Sequence, residues 1–422
     1  MRIKSAAIVT IFSCFVLLCF CRPLRASIFL MDERLEINGF VKQTAYIRTG
    51  MSDREKLYHN SNMDFLQTSG LLEALYTVKE GPDLTIRFFG GVKYWWQQSQ
   101  YFDQEYRRSI PYRDRKDWTH PRSFNDDVLT EAYIDIIKGP WEVRIGKQIV
   151  IWGQLNMSRV ADVVNPLDIR RGFPGENPWE DIKQGLWMIR LFYESELPGD
   201  LLFETIFNPG DYQNMELLLE GTDKGVKPYG VRWFDPENQK FGIYHWQREK
   251  WSRDAPGWNL KDNWELGFRV RGNTWGIDWT LLWWNARDDA PVAHHLKLRD
   301  FTLPFIFTEG FTENLDVWGT PEDNWDTPSR VFYYKRYQTV GGTAQVYSPK
   351  LWDTVWRTEW FYEINRPLNE AINGDPSKIN GWTRRNIFGA AVQVSRAITI
   401  PWFTKSSIAA NRMLDVSLTY FW

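Results

Sequence analysis

Beyond its first 26 residues the chain carries no cysteine and no long apolar run, yet one alternating pattern recurs for nearly 400 residues. The stretch from Leu84 to Gln97 is the clearest case. Leu84, Ile86, Phe88, Gly90, Val92, Tyr94 and Trp96 share one face of an extended strand. Thr85, Arg87, Phe89, Gly91, Lys93, Trp95 and Gln97 share the other. A soluble sheet can show this once. Repeated along a whole exported chain, it predicts an all-β fold, a transmembrane antiparallel β-barrel of about 14–18 strands. The apolar face would meet lipid and the mixed face would line a wet lumen, with every backbone group paired between strands.

The export signal is read from the N-terminus. Arg2 and Lys4 precede an apolar core from Ala6 to Cys21, followed by Arg22-Pro23-Leu24-Arg25-Ala26. This layout predicts a signal peptide over 1–26 and a single barrel domain over 27–422. The core is short for an uncleaved spanning anchor. Leu18 and Phe20 stand before Cys19 and Cys21, where a lipoprotein signal wants a small residue. Cys14, Cys19 and Cys21 all lie within the signal, so the mature chain is expected to hold no disulfide and no thiolate metal site.

Composition excludes other classes. With 25% charged residues and a mean hydropathy of -0.46, no 18-residue apolar span follows the signal, so a helical membrane protein is excluded. Aromatics make up 16% of the chain, 24 of them tryptophan, which suits girdles at two membrane interfaces. A net charge of -2 lends nothing to nucleic-acid binding, which calls for a basic excess.

The pattern reads as about fifteen strands. Short turns fall near Glu80–Asp83, Lys138–Trp141, Leu197–Asp200, Asp235–Gln239, Gly272–Trp275 and Ser348–Trp352. Long connections run over 48–62, 98–126, 153–183, 208–226, 249–262, 286–330 and 365–382. The alternation predicts tight periplasmic turns and long extracellular loops. An odd strand count leaves Trp422 on the wrong side for such a barrel. It implies either a missed strand near Ala397–Ile408 or a C-terminally truncated copy, although Leu414, Val416, Leu418, Tyr420 and Trp422 alternate as a closing strand should.

Three hairpins yield registers. A two-residue turn at Asn273-Thr274 sets Val270 against Ile277, Phe268 against Trp279, Leu266 against Leu281 and Trp264 against Trp283, with Arg269 opposite Asp278 on the lumen side. A turn at Gly139-Pro140 pairs Asp135 with Arg144 and Glu131 with Gln148 in the lumen. It also leaves Lys147 on the lipid face, which implies either an interfacial position or a bulge after Gly146. From Trp352 to Tyr362, Trp352, Thr354, Trp356, Thr358, Trp360 and Tyr362 share the lipid side, while Asp353, Arg357, Glu359 and Glu363 share the other. Those charges form an ion-pair ladder or line a selective path.

The segment from Glu131 to Phe173 carries more than periodicity. It contains Glu131-Ala132-Tyr133, Arg144-Ile145-Gly146-Lys147-Gln148, Trp152-Gly153-Gln154 and Asn165-Pro166-Leu167-Asp168. This run resembles the family of Gram-negative outer-membrane proteins catalogued as domain of unknown function 1302, and weaker likeness continues to the end of the chain. The resemblance implies an outer-membrane barrel of unassigned activity. It also implies partnership with inner-membrane exporter components and a periplasmic lipid-carrier-like protein, and hence hydrophobic or amphipathic cargo.

Loop 153–183 is rich in turn residues, with a short helix expected over Met157–Val164, ended by Pro166. Either it folds inward as a constriction, narrowed by Asp162, Asp168, Arg170 and Arg171, or it is a solvated surface loop. The candidate lumen and constriction residues are Glu131, Asp135, Arg144, Gln148, Asp168, Arg170, Arg171, Arg269 and Asp278.

Other chemistry is thinly supported. His59, His120, His245, His294 and His295 show no metal-ligand spacing, and Asp126-Asp127 and Asp288-Asp289 lack the glycine punctuation of a calcium loop. His245 has no evident serine partner, and no phosphate loop or nucleotide fingerprint is present. The expected function is therefore a non-enzymatic transport channel or export conduit in the bacterial outer membrane. It would need no cofactor or metal and would bind no nucleic acid, with outer-membrane lipids and lipopolysaccharide as its surroundings. Two alternatives stand beside it. One is an outer-membrane lipid-modifying enzyme. The other is a secreted glycan-binding β-protein using Trp118, Trp179, Trp251, Trp258, Trp318 and Trp325, which would bury the Trp352–Trp360 face.

Overall fold

The computed structural model describes residues 24–47, 63–81, 83–98, 123–155, 160–168, 182–213, 257–289, 292–295, 330–372, 375–399 and 413–421. It divides into two compact units, Met1–Ile136 and Ile137–Trp422. The first holds β1 (Leu24–Leu30), β2 (Leu35–Ile47), β3 (Met63–Lys79), β4 (Thr85–Gln98) and most of β5 (Leu129–Lys138). The second holds β6 (Trp141–Gln148), β7 (Leu186–Glu194), β8 (Leu202–Asn208), β9 (Asp211–Tyr212), β10 (Gly257–Trp258), β11 (Glu265–Thr274) and β12 (Ile277–Arg287). It continues with β13 (Val292–His295), β14 (Arg330–Tyr333), β15 (Arg336–Ser348), β16 (Thr354–Ile372), β17 (Asp375–Thr399) and β18 (Met413–Phe421).

The fold is all-β, and its strands meander. The first unit runs β1-β2-β3-β4-β5. The second runs β6-β7-β8-β11-β12-β15-β16-β17-β18, with β9–β10 and β13–β14 as separate two-stranded pieces. Among the described residues the main strand order holds fourteen strands, within the expected range. Two details of the strand assignment differ from the expectation. β1 begins at Leu24, inside the segment assigned to the signal, and pairs with β2 from Leu24↔Val41 to Leu30↔Leu35. Near the middle of the chain β8 pairs directly with β11, from Glu265↔Asn208 to Arg271↔Leu202. No strand separates them in the sheet. The hairpin expected around Asp235–Gln239 itself lies outside the described residues, as do residues 1–23.

Several of the described strands sort their side chains as the alternation predicts. In β4, Phe88, Tyr94 and Trp96 are exposed while Lys93 and Trp95 are buried. In β7, Ile189 and Leu191 are exposed while Leu186, Met188 and Arg190 are buried. In β16, Trp356 and Tyr362 are exposed while Glu359 is 0% exposed. Trp352, in the turn before β16, is 78% exposed. Large apolar groups thus face out and charges face in, the reverse of a water-soluble sheet. The Trp352–Trp360 face is not a protein core.

One register departs from expectation. β11 and β12 pair as Thr274↔Ile277, Asn273↔Asp278, Val270↔Leu281 and Phe268↔Trp283, so Arg269 meets Leu282 and not Asp278. The turn is Trp275-Gly276, two residues beyond the expected one. Both residues take positive φ (56° and 77°), as a type I′ hairpin demands. Tryptophan is a poor turn signal, and this one is 95% exposed, which is why the sequence misled. The slip is even, so each side chain keeps its face. Lys147 is a second correction. It is 1% exposed, not on the open face. Gly146 has φ 140°, which re-aims the chain so that Gly146, Lys147 and Gln148 are all buried in sequence.

The hairpin gives a direct test. Gly276→Val forces a branched side chain into the left-handed region and should lower stability by ~1–2 kcal/mol. Trp275→Asn should leave stability unchanged or raise it. Denaturant unfolding midpoints of the two variants check this.

Candidate functional site

The connection between β6 and β7 lies on the buried face of the second unit's sheet. Among its described residues, Val150, Trp152, Leu155, Val160, Ala161, Asp162, Val164, Asn165, Leu167, Asp168, Ile182, Lys183 and Gln184 are all buried. These described residues of loop 153–183 are covered by the protein and not solvated. A buried connection must have its backbone groups paired, and it is here that the local sequence becomes legible.

Asn165 ties the two ends of the segment together. Its Nδ2 donates to the carbonyls of Gln148 (3.0 Å) and Gln184 (2.8 Å), and its Oδ1 accepts from the Val150 N–H at 2.7 Å. Beyond it, a short antiparallel ladder forms. Gln184 N–H donates to the Pro166 carbonyl (2.9 Å), and Asp168 N–H donates to the Ile182 carbonyl (2.6 Å). Lys183 is fully buried, ion-paired to Asp162, and donates to the Val150 carbonyl at 2.7 Å. The other oxygen of Asp162 accepts from the Trp152 N–H at 3.1 Å. No helix forms over 160–164, contrary to expectation. The side chains of Asp162 and Asn165 bond backbone groups at Trp152, Gln148, Val150 and Gln184, which tie the segment to its own two ends.

Trp152 fixes the segment to one side of the sheet. Its indole N–H donates to Glu204 Oε2 (3.1 Å) on β8. It lies edge-on to Trp284, with centroids 5.8 Å apart. Gly267 makes room, since a Cβ there would lie 2.3 Å from Trp284 and 2.8 Å from Trp152. Glu204 is in turn held between two guanidinium groups, Arg190 (2.6 Å) and Arg269 (2.6 Å). Such hydrogen-bonded, charge-assisted pairing is what allows a buried carboxylate to persist.

Glu359 fixes the segment to the other side. Its Oε1 accepts from the backbone N–H groups of Gln154 and Leu155 (2.8 Å), and its Oε2 from that of Ala161 (2.9 Å). Gly153 allows the approach: a Cβ there would lie 2.9 Å from Asp162 and 3.2 Å from Glu359 Oε1. Leu155 and Val160 pack with Ala391 and Phe361 beside this latch. Val150, Ala161 and Val164 pack with Leu186, Met188, Ile206, Leu282 and Ala286 on the opposite side.

These contacts require a strongly curved sheet. Glu204 and Glu359 stand on β8 and β16, four places apart in the strand order. In a flat sheet that is about 19 Å, with side chains standing perpendicular to it. Yet their partners, Trp152 and Gln154, are two residues apart. The sheet curls so that its buried face closes on the segment.

The expected site residues distribute as follows. Gln148 is buried, and its amide donates to the Met188 carbonyl at 3.1 Å. Asp168 is buried. Arg269 bonds Glu204, and Asp278 accepts from Asn273 (2.7 Å) beside the turn. Arg144 pairs with Glu142 at 3.3 Å and is partly exposed. In the first unit, Asp135 is buried and Glu131 half-buried. Arg170, Arg171 and His245 lie outside the described residues, as do the loop tryptophans other than Trp258, which is exposed.

Glu204, Arg190 and Lys183 were missed, and Glu359 was seen only as part of a charge ladder. Among the described residues no group of three or more His, Cys, Asp or Glu side chains is placed to hold a metal. Asp288 is instead engaged by Arg366 at 2.9 Å. Next to it, Tyr212 donates to the Asp288 carbonyl (2.5 Å). Burial, with Tyr334, Asp289 and Asp288 nearby, holds this hydroxyl well above the usual phenol range.

Removing the latch should free the segment. Glu359→Ala leaves three buried N–H groups without an acceptor, each worth roughly 1–3 kcal/mol. Hydrogen exchange at Gln154, Leu155 and Ala161 should accelerate ~100-fold or more, while the β15–β16 ladder stays protected. Asn165→Ala should expose the 182–184 amides in the same assay and leave the Glu359 contacts slower to exchange.

No curated protein matches the chain. The chain is similar to Salmonella typhi OmpF in complex with daunomycin, at 10% identity, 94% of this chain and 86% of that one, with a TM-score of 0.40. It is similar also to in-vitro folded OmpT, an outer membrane protein of Vibrio cholerae in its trimer form, at 10% identity over 91% and 99% of the two chains, with a TM-score of 0.26. The model of the family described as protein of unknown function (DUF1302) matches residues 62–414, most of the chain and all of the latched segment, and the chain belongs to that family.

Proposed function

We propose that the chain is a bacterial outer-membrane β-barrel that serves as a transport channel or export conduit, with the β6–β7 segment as its inward constriction. The observation that carries this reading is the Glu359 latch. The described residues of the β6–β7 connection do not run over the surface but lie on the buried face and are bonded to strands on both sides. Exposed apolar side chains on the opposite face support a lipid environment, since water would penalise so many of them.

In this reading Arg144, Gln148, Asp168, Arg170, Arg171, Arg269 and Asp278 belong to the wall and constriction, with Glu131 and Asp135 on the wall formed by β5. The protein makes and breaks no covalent bonds, and it works with inner-membrane exporter components on hydrophobic or amphipathic cargo. Outer-membrane lipids and lipopolysaccharide surround it.

Planar-bilayer conductance tests the proposal. Glu359→Ala should raise conductance or open probability several-fold over the parent chain. An unchanged trace from folded protein would remove the segment from the pathway. In a conducting protein, Arg144→Ala combined with Arg170→Ala should shift permeability towards cations, because two positive charges leave the wall. Unaltered selectivity would sink the assignment of these two residues.

A further inference from the structure

The open face of the sheet is notched at β15. Rows of register partners cross from β12 through β15 to β16. Two outer rows are Ile277, Val346 and Trp356, and Trp283, Val340 and Tyr362. Between them lie Trp279, Ala344 and Thr358, then Leu281, Gly342 and Trp360. The β15 residue is valine in the outer rows but alanine and glycine in the inner two. Larger side chains stand on both sides of that pair and close it at each end. The notch is a cavity of ≈ 410 Å³, floored by Ala344 and walled by Trp279, Leu281, Thr358 and Trp360, with no charged residue in its lining. Small-molecule pockets run to about 300–1,000 Å³.

Among the described residues of β12 and β16, four tryptophans face outward, and three have paired indole N–H groups. Trp279 donates to Thr274 Oγ1 at 3.1 Å, Trp356 to Thr354 Oγ1 at 2.9 Å and Trp283 to Gln338 Oε1 at 3.3 Å. Trp360 is the fourth. Its indole N–H and the Thr358 hydroxyl, two positions away on the same face, have no hydrogen-bond partner among the described residues. Gly342 lets the indole lie against the backbone of β15, since a Cβ there would sit 2.9 Å from Trp360 Nε1. The row of Trp360 crosses β12 at Leu281, near the middle of that strand. At a strand end, water or headgroups satisfy an indole. Midway across a hydrocarbon layer neither is present, and an unmet donor is costly.

We propose that this cavity binds a neutral, chain-like apolar molecule bearing a carbonyl group, an acyl ester being the simplest case. The chain fills the notch over Gly342 and Ala344, and the carbonyl oxygen accepts from the Trp360 N–H, with the Thr358 hydroxyl as a further donor in the wall. A carbonyl suits the site because it only accepts and has two lone pairs. A carboxylate does not, because the lining holds no cation to offset its desolvation. A plain hydrocarbon would leave both donors unmet. The inference rests on the membrane-barrel reading, which puts this face in lipid.

The test uses the full chain, isotope-labelled at its tryptophan indole nitrogens and folded in alkyl maltoside micelles, which carry no carbonyl. The Trp360 signal is identified by its loss in Trp360→Phe. Methyl palmitate should move that signal downfield and saturably, whereas hexadecane, a chain of like length without the carbonyl, should not. Ligand retained by the re-isolated protein, measured by mass spectrometry, should favour the ester ~fivefold, the worth of one hydrogen bond, and Trp360→Phe should erase the preference. Ala344→Leu, which fills the floor with an apolar group, should lower retention of both ligands ~tenfold. An unmoved Trp360 signal, or a preference that survives Trp360→Phe, would overturn the site. Displacement of the ester by an equal amount of phosphatidylcholine would show a boundary lipid and overturn the assignment. A lipid-soluble paramagnetic probe should broaden the indole signals of Trp279, Trp283 and Trp356. Broadening without an ester shift would remove the cavity and leave the lipid-facing surface standing. Broadening by a water-soluble probe alone would remove both.

Discussion

A backbone segment can enter the interior of a protein only if its N–H and C=O groups find partners there. The β6–β7 connection meets this condition through a few side chains. Asn165 satisfies three backbone groups at the segment's base, Lys183 and Asp162 join its two limbs, and Glu359 accepts three N–H groups at its tip. The buried charges of the sheet follow from this. Glu204 and Glu359 are acceptors for a connection that would otherwise be excluded, and Arg190 and Arg269 hold Glu204 in place. Buried ion pairs are weak sources of stability but strong sources of specificity, because losing one partner strands the other. The latched geometry is therefore sharply defined and conditional on a handful of atoms.

The open face of the sheet obeys a different constraint. Its exposed side chains are isoleucine, leucine, valine, phenylalanine, tyrosine and tryptophan on strand after strand, while lysine, arginine and glutamate turn to the covered side. A hydrocarbon solvent favours this distribution and water opposes it. The two faces thus divide the work proposed for the protein, with a gated interior on one side and a lipid contact on the other.

The family motif takes on physical meaning in this setting. Trp152-Gly153-Gln154 supplies the indole donor to Glu204, the gap beside Glu359 and one of the latched N–H groups. Asn165-Pro166-Leu167-Asp168 supplies the bridging amide and the ladder to 182–184. These residues stand on a connection, not a strand, so no periodicity would have marked them.

What the sequence by itself determined was the alternation and hence the class. A period of two needs only neighbouring residues to be read, and Phe88, Tyr94 and Trp96 against Lys93 and Trp95 show it surviving into the fold. Register was less legible. A turn built on Trp275-Gly276 carries half the usual signal, so the strand pairing slipped by an even step and kept its faces but changed its partners. Strand order was hidden for a similar reason, since direct pairing of β8 with β11 is a fact about distant segments. The site was decided by tertiary structure alone. Glu359 and Leu155 are about two hundred positions apart, and only the curl of the sheet brings a carboxylate on β16 over a dipeptide tethered to β8.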